Sequence, residues 1–189
     1  MPFDHFNLIA GIYDKAGEFR VSELVLGLLS LAQGDLILDA GGGTGRIAAA
    51  LRGGARDVVV ADPSRGMLRR AVNKGLAAIC APVESLPFSS GSFERVIMVD
   101  AFHHVADQRQ AARELWRVIA PGGRIVIIEP NIHKNLVKVI AVGEKVLLMR
   151  SHILTGEKIM AFFEGWNGKI SLFYEEMNCY VLAEKLTEV

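Results

Sequence analysis

The nine residues from Leu38 to Arg46, LDAGGGTGR, constrain this chain more than any other stretch. An apolar run, Leu36 to Ala40, leads into glycines at 41, 42, 43 and 45, and a helix-forming stretch with Ile47, Ala48 and Leu51 follows. The pattern reads as a buried strand turning sharply into a helix. Glycines let the backbone approach a ligand closely and adopt positive φ. The first turn of the helix also presents N–H groups that have no partner within it. A merely tight turn is the alternative. Gly43-x-Gly45-x-x-Ala48 fits the dinucleotide fingerprint as well, so the loop alone does not name a ligand.

The rest of the chain alternates in the same way. Further strands are expected at Asp57 to Ala61, Leu76 to Ala81, Phe93 to Val99 and Arg124 to Glu129. Helices fall between them, one starting after Ser64 and one from about Ala106 to Ala120, ahead of the turn Pro121-Gly122-Gly123. Short joints between strands and helices imply a parallel sheet covered on both faces. Lys169 to Tyr174 and Cys179 to Ala183 lie too close together for a parallel crossover, so they read as an antiparallel hairpin. The expected organisation is one domain over 1–189. It comprises an N-terminal helical lid at 1–34 and an α/β core at 35–189, with a helical insertion at about 134–150. That insertion puts Lys134, Lys138 and Lys145 on one face, as a solvated lid or an interfacial helix for a lipophilic molecule.

Composition excludes several classes. Lys+Arg and Asp+Glu are both 21, so no net charge draws the chain to nucleic acid. Cys80 and Cys179 lack metal or disulfide spacing and read as two buried thiols in a reducing compartment. No signal-peptide pattern or membrane-length apolar run is present, and a cytoplasmic protein is expected. The mean hydropathy of +0.29 suits an apolar pocket or a homodimer interface.

Two acids flank the loop. Asp62 lies about twenty residues on, after the second strand, where an acid accepts hydrogen bonds from ribose hydroxyls. A surface aspartate capping the next helix is the alternative. Asp39 sits two residues before the first glycine. A carboxylate there suits the ammonium of S-adenosylmethionine and repels a pyrophosphate. A Tyr-x-x-x-Lys motif is absent, because Tyr13, Tyr174 and Tyr180 are followed four residues later by Gly17, Asn178 and Glu184. This weighs against a nicotinamide oxidoreductase.

With LDAGGGTGR, VVADPSRGML (59–68), ESLPF (84–88), SFERVIMVDAFHHV (92–105) and LWRVIAPGGRIVIIEP (115–130), the chain closely resembles the class I S-adenosylmethionine-dependent methyltransferases. Within them it is similar to the group related to ubiquinone/menaquinone biosynthesis. The resemblance implies a Rossmann-like, doubly wound, mostly parallel seven-stranded sheet of order 3-2-1-4-5-7-6, with strand 7 antiparallel. It implies that Gly41, Gly43 and Gly45 approach the methionine part of the cofactor and the adjoining ribose. Asp62 would hold the ribose, Pro63 and Met67 would pack near adenine, and Asp100 and Ala101 would border methionine and acceptor. Tyr13 would close over the carboxylate end. Relatives commonly carry an acid where this chain has Pro82, so the Val83 N–H and Glu84 are left to meet the adenine.

The function so implied is methyl transfer to a small-molecule, lipophilic acceptor by in-line displacement, leaving S-adenosylhomocysteine. Alignment of the reactants is the main requirement and can supply roughly 7–11 kcal/mol of the barrier. His103, after strand four, is the candidate base; the alternative is that one or both histidines orient the loop or stack on the cofactor, and His104-Val105 reads as partly core-facing. Asp100, His103 and His104 lack a metal-binding spacing, so no metal is expected. Glu129 lines the pocket floor or caps a turn. A noncatalytic cofactor-binding module is the alternative of a different class. No Asn-Pro-Pro-Tyr-like motif or RNA-binding domain points to a macromolecular acceptor.

Overall fold

In a computed structural model, residues 21–131, 152–175 and 177–187 are described. The lid residues 1–20, with Tyr13, and the insertion at 134–150 lie outside them.

The sheet has seven strands in the order β3-β2-β1-β4-β5-β7-β6. These are β1 (Leu36–Ala40), β2 (Asp57–Asp62), β3 (Ala77–Cys80), β4 (Phe93–Val99), β5 (Ile119–Pro130), β6 (Gly168–Glu175) and β7 (Asn178–Lys185). Neighbours from β3 to β5 pair in parallel, and β7 pairs antiparallel with both β5 and β6. The expected fold and strand order are those found. β5 starts five residues earlier than expected, at Ile119 rather than Arg124. Phe93 pairs with Ile119 before the register shifts, so the Pro-Gly-Gly stretch lies inside the strand as an irregularity instead of ahead of it.

Alternation along the strands makes two cores. Ile37, Val58, Val60, Ile97 and Val126 face α1 (Glu23–Leu29), α2 (Arg46–Leu51) and α3 (Arg65–Asn73). Leu38, Val96, Met98, Ile125 and Ile127 face α4 (Gln108–Val118) and α5 (Gly156–Ala161). Ser22, Ser64, Asp107 and Thr155 cap α1, α3, α4 and α5 by accepting from the N–H three residues on. The carbonyl end of α1 is held by arginines from the sheet. Arg95 donates to Leu29 O and Ser30 O at 2.6 and 2.8 Å, and Arg124 to Leu28 O at 3.1 Å.

One reading is corrected here. Cys179 is buried, but Cys80 is exposed, because it ends β3 at the open edge of the sheet.

The junction of β1 and α2 depends on Gly45. Its φ is +73°, and a Cβ there would run into the Leu76 side chain and meet Ala71 Cβ at 3.1 Å. Gly45→Ala should therefore cost about 2–5 kcal/mol, adding left-handed strain to overpacking. Urea unfolding with an unchanged m-value reads this directly, and a loss under 1 kcal/mol would mean that α2 shifts freely.

Candidate functional site

The carboxyl ends of β1, β2 and β4 open into one cavity of about 270 Å³. Its walls are the glycine loop at 41–44 with Arg46 and Ile47, then Asp62, Pro63 and Met67. The segments 82–84, 98–101 and 104–106 complete it. Parallel sheets place ligands here, where the chain leaves β1 and β4 to opposite faces.

The glycine loop is folded back on β2. Gly41 N and Gly42 N both donate to Ala61 O, at 2.7 and 3.3 Å. Asp62 then grips the loop, its Oδ2 accepting from Gly43 N at 3.0 Å and its Oδ1 from Ser64 N at 2.7 Å. Asp62 is thus buried, not the surface residue expected, because two main-chain N–H groups replace its water. Asp62 also lines the cavity, where a carboxylate can accept from a ligand hydroxyl.

Asp39 supplies what α2 lacks. The N-cap of α2 is Gly45, which has no side chain to cap with. Asp39 Oδ2 reaches across from β1 and accepts from Ala48 N at 3.2 Å, at the position where an N-cap side chain normally acts. Its Oδ1 is buried with no hydrogen-bond partner among the described residues, and Asp39 lines the cavity. Burial pushes the carboxyl up to about 7; the Ala48 N–H opposes this, nearby Asp62 adds to it, and Arg46 offsets it in part. An orphaned buried acid beside a ligand space fits a ligand ammonium.

The 82–88 segment is held from behind. Glu114 accepts from Leu86 N at 3.0 Å, and Arg117 donates to Phe88 O and Leu86 O at 2.7 and 2.9 Å. Glu84 Oε1 crosses the cavity mouth to accept from Ala106 N and Asp107 N at 3.0 and 3.3 Å. This ties two walls together.

At the end of β4, Asp100 has φ +50°. A non-glycine residue in that region costs about 1–3 kcal/mol. The turn is stapled by Glu129, whose Oε1 accepts from Ala101 N and Phe102 N at 3.0 and 2.8 Å. Glu129 Oε2 lies 2.6 Å from His103 Nδ1. His104, stacked on His103 with ring centroids 4.0 Å apart, faces the cavity.

Of the residues singled out in the sequence, Asp39, Gly41, Gly43, Asp62, Pro63, Met67, Val83, Glu84, Asp100 and Ala101 meet at this cavity. Gly45 and His103 do not line it. Gly45 packs against α3, and His103 is buried on Glu129. Glu129 caps a turn rather than flooring the pocket. The sequence reading chose His103 as the residue at the cavity and took His104 as partly core-facing; the structure reverses the two, because which of two adjacent histidines faces out depends on the phase of the short 3-10 turn Phe102–His104.

Asp39 gives a pH signature. Its folded pKa is raised, so the folded state binds more protons than the unfolded chain between about 4 and 7. The associated stability is present at low pH and is lost as pH rises through about 7. Asp39→Asn should flatten that fall in the ligand-free protein and be the more stable of the two above neutral pH. Urea midpoints at acidic and alkaline pH measure the difference, and identical slopes would contradict it.

A family model described as a methyltransferase domain matches residues 38–127. The chain is 31% identical over 152 residues to the ubiquinone/menaquinone biosynthesis C-methyltransferase UbiE of Methylococcus capsulatus, covering 70% of this chain and 61% of that one. It is 38% identical over 101 residues to a demethylmenaquinone methyltransferase of Corynebacterium urealyticum, covering 53% of this chain and 44% of the relative. The chain thus spans about half the length of the curated relatives it matches. Among solved structures, a SAM-dependent methyltransferase of Aquifex aeolicus superposes with a TM-score of 0.74 at 18% identity, covering 96% of this chain and 98% of that one. Motifs, strand order and matches agree: the chain belongs to the class I S-adenosylmethionine-dependent methyltransferases, as a distant relative of the ubiquinone/menaquinone-pathway enzymes.

Proposed function

We propose that this chain transfers a methyl group from S-adenosylmethionine to a small, lipophilic acceptor by in-line displacement. The observation that carries the reading is the pairing of two buried carboxylates across one glycine loop. Asp62 holds Gly43 N–H on the cavity wall, and Asp39 has an oxygen near Gly42 with no hydrogen-bond partner among the described residues. One suits a ribose and the other an ammonium, and S-adenosylmethionine carries both. When bound, it supplies an electrophilic methyl on a sulfonium leaving group.

The residues of this chain bind, orient and exclude water. Met67 and Val83 are buried apolar residues on the wall near Pro63 and Pro82, and they suit a flat aromatic base. Pro82 provides no N–H and no carboxylate, so a base would find only the Val83 main chain and apolar surface there. Met98, Val99, Ala101 and Val105 make the β4 side of the cavity largely apolar. The relatives named for quinone biosynthesis support a lipophilic acceptor.

Calorimetry should give micromolar-range binding of S-adenosylhomocysteine and none comparable for NADH. The reverse result would overturn the reading. Methyl transfer from labelled S-adenosylmethionine to a panel of quinols, phenols and amines separates an enzyme from a noncatalytic binding module.

Asp62→Ala should weaken S-adenosylhomocysteine binding by about 1.5–3 kcal/mol, and should also destabilise the fold by about 1–3 kcal/mol, because Gly43 N–H and Ser64 N–H lose their acceptor. Affinity is therefore measured well below the unfolding temperature of the variant. Unchanged affinity in a folded variant would reduce Asp62 to a loop brace.

A further inference from the structure

Behind the β4 wall lies a buried pair that does not touch the cavity. Glu129 is 1% exposed and His103 is 3% exposed. The carboxylate takes three hydrogen bonds, from Ala101 N, Phe102 N and the His103 ring. The His103 main chain is tied as well, its carbonyl accepting from His152 N at 2.7 Å. The next residue, His104, lines the cavity, and its ring is tilted at 50° to that of His103 with centroids 4.0 Å apart.

We propose that Glu129 and His103 are a positioning pair that keeps a proton on His103 and so adds to burial in holding His104 as a neutral, fixed imidazole at the cavity wall. The inference rests on the methyltransferase reading for its consequence, not for its geometry. A carboxylate 2.6 Å from an imidazole in a dry setting favours the imidazolium. A second proton on a ring 4.0 Å away is then repelled, at low effective dielectric. Burial first, and His103 second, push His104 down to about 3.

Among the described residues, the ionisable groups on the cavity wall and on β7 do not reverse this. Asp100 and Glu84 share the cavity wall and favour charge on His104. Asp100 is exposed and screened by solvent, and Glu84 is engaged by Ala106 and Asp107 N–H groups. Across β7, Cys179 faces Glu129 as a neutral thiol, pushed up to about 11 by burial and by that carboxylate.

The consequence is a class of acceptor. A neutral His104 beside an imidazolium orients an acceptor but does not take its proton at neutral pH. The matching acceptor has a nucleophile already formed in water, such as an ionised quinol or enol, or a free amine. Its proton has gone to solvent before the new bond to carbon forms and the carbon–sulfur bond breaks.

Histidine-selective ¹⁵N NMR from pH 4 to 9, with and without S-adenosylhomocysteine, tests the pair. In the native protein His103 should remain protonated past neutral pH, and His104 should remain neutral below pH 5. Glu129→Gln should bring His103 to the neutral form near pH 7 and raise the His104 midpoint by at least one pH unit. His103→Gln keeps Glu129 on its two backbone partners, so it carries the test if the first variant fails to fold, and should raise the His104 midpoint equally. S-adenosylhomocysteine should shift the His104 resonance more than that of His103. A neutral His103 at pH 7, or a His104 midpoint near 6.5 in the native protein, overturns the proposal; so does a midpoint unmoved by substitution. Absence of any saturable ligand shift would instead count against the cofactor reading, with the titrations still deciding the pair.

Discussion

A carboxylate survives in a protein interior only where donors replace its lost water, and the cavity of this protein is assembled from that exchange. Asp39, Asp62 and Glu129 are all buried, and each is directed at main-chain N–H groups that the sheet and helices leave unpaired. The bonds fix where the loops after β1, β2 and β4 run. They also fix the cavity, which is the space those loops enclose. Removing any one acid frees a loop and strands its donors, so binding and local stability are coupled here.

The α2 junction shows how such economy arises. A glycine is needed at 45 because Leu76 and Ala71 leave no room for a Cβ. Glycine cannot cap a helix with its side chain. The cap is supplied instead from the neighbouring strand by Asp39, whose second oxygen has no partner among the described residues and which lines the cavity. One residue closes a helix and leaves a charge for a ligand, at the cost of a carboxyl pushed up to about 7.

The two halves of the sheet differ in their fastening. On the face of α1, arginines from β4 and β5 grip helix carbonyls, far from the cavity. On the face of α4, Arg117 and Glu114 hold the 86–88 segment that continues from the cavity wall. Rigid elements thus carry the walls, and the strained turn at Asp100 persists because Glu129 and Ile128 bond it from two sides.

Much of this was determined by the sequence alone. Alternating apolar strands, the Ser64 cap and the short joints mark the parallel core, its main helices and the terminal hairpin, because these signals are local and periodic; the short helix Gly156–Ala161 was not among them. The glycine loop and the acids at 39 and 62 mark the cavity, since their spacing follows from the end of one strand and the end of the next. Tertiary structure decided what depends on contacts distant in sequence. That Gly45 packs rather than lines, that Glu84 braces a second loop, and that Cys80 lies open at an edge are such cases. The histidines are the sharpest example. Two identical neighbours, His103 and His104, have one local signature, and only the position of Glu129, twenty-six residues on, decides which turns inward to a carboxylate and which turns to the ligand.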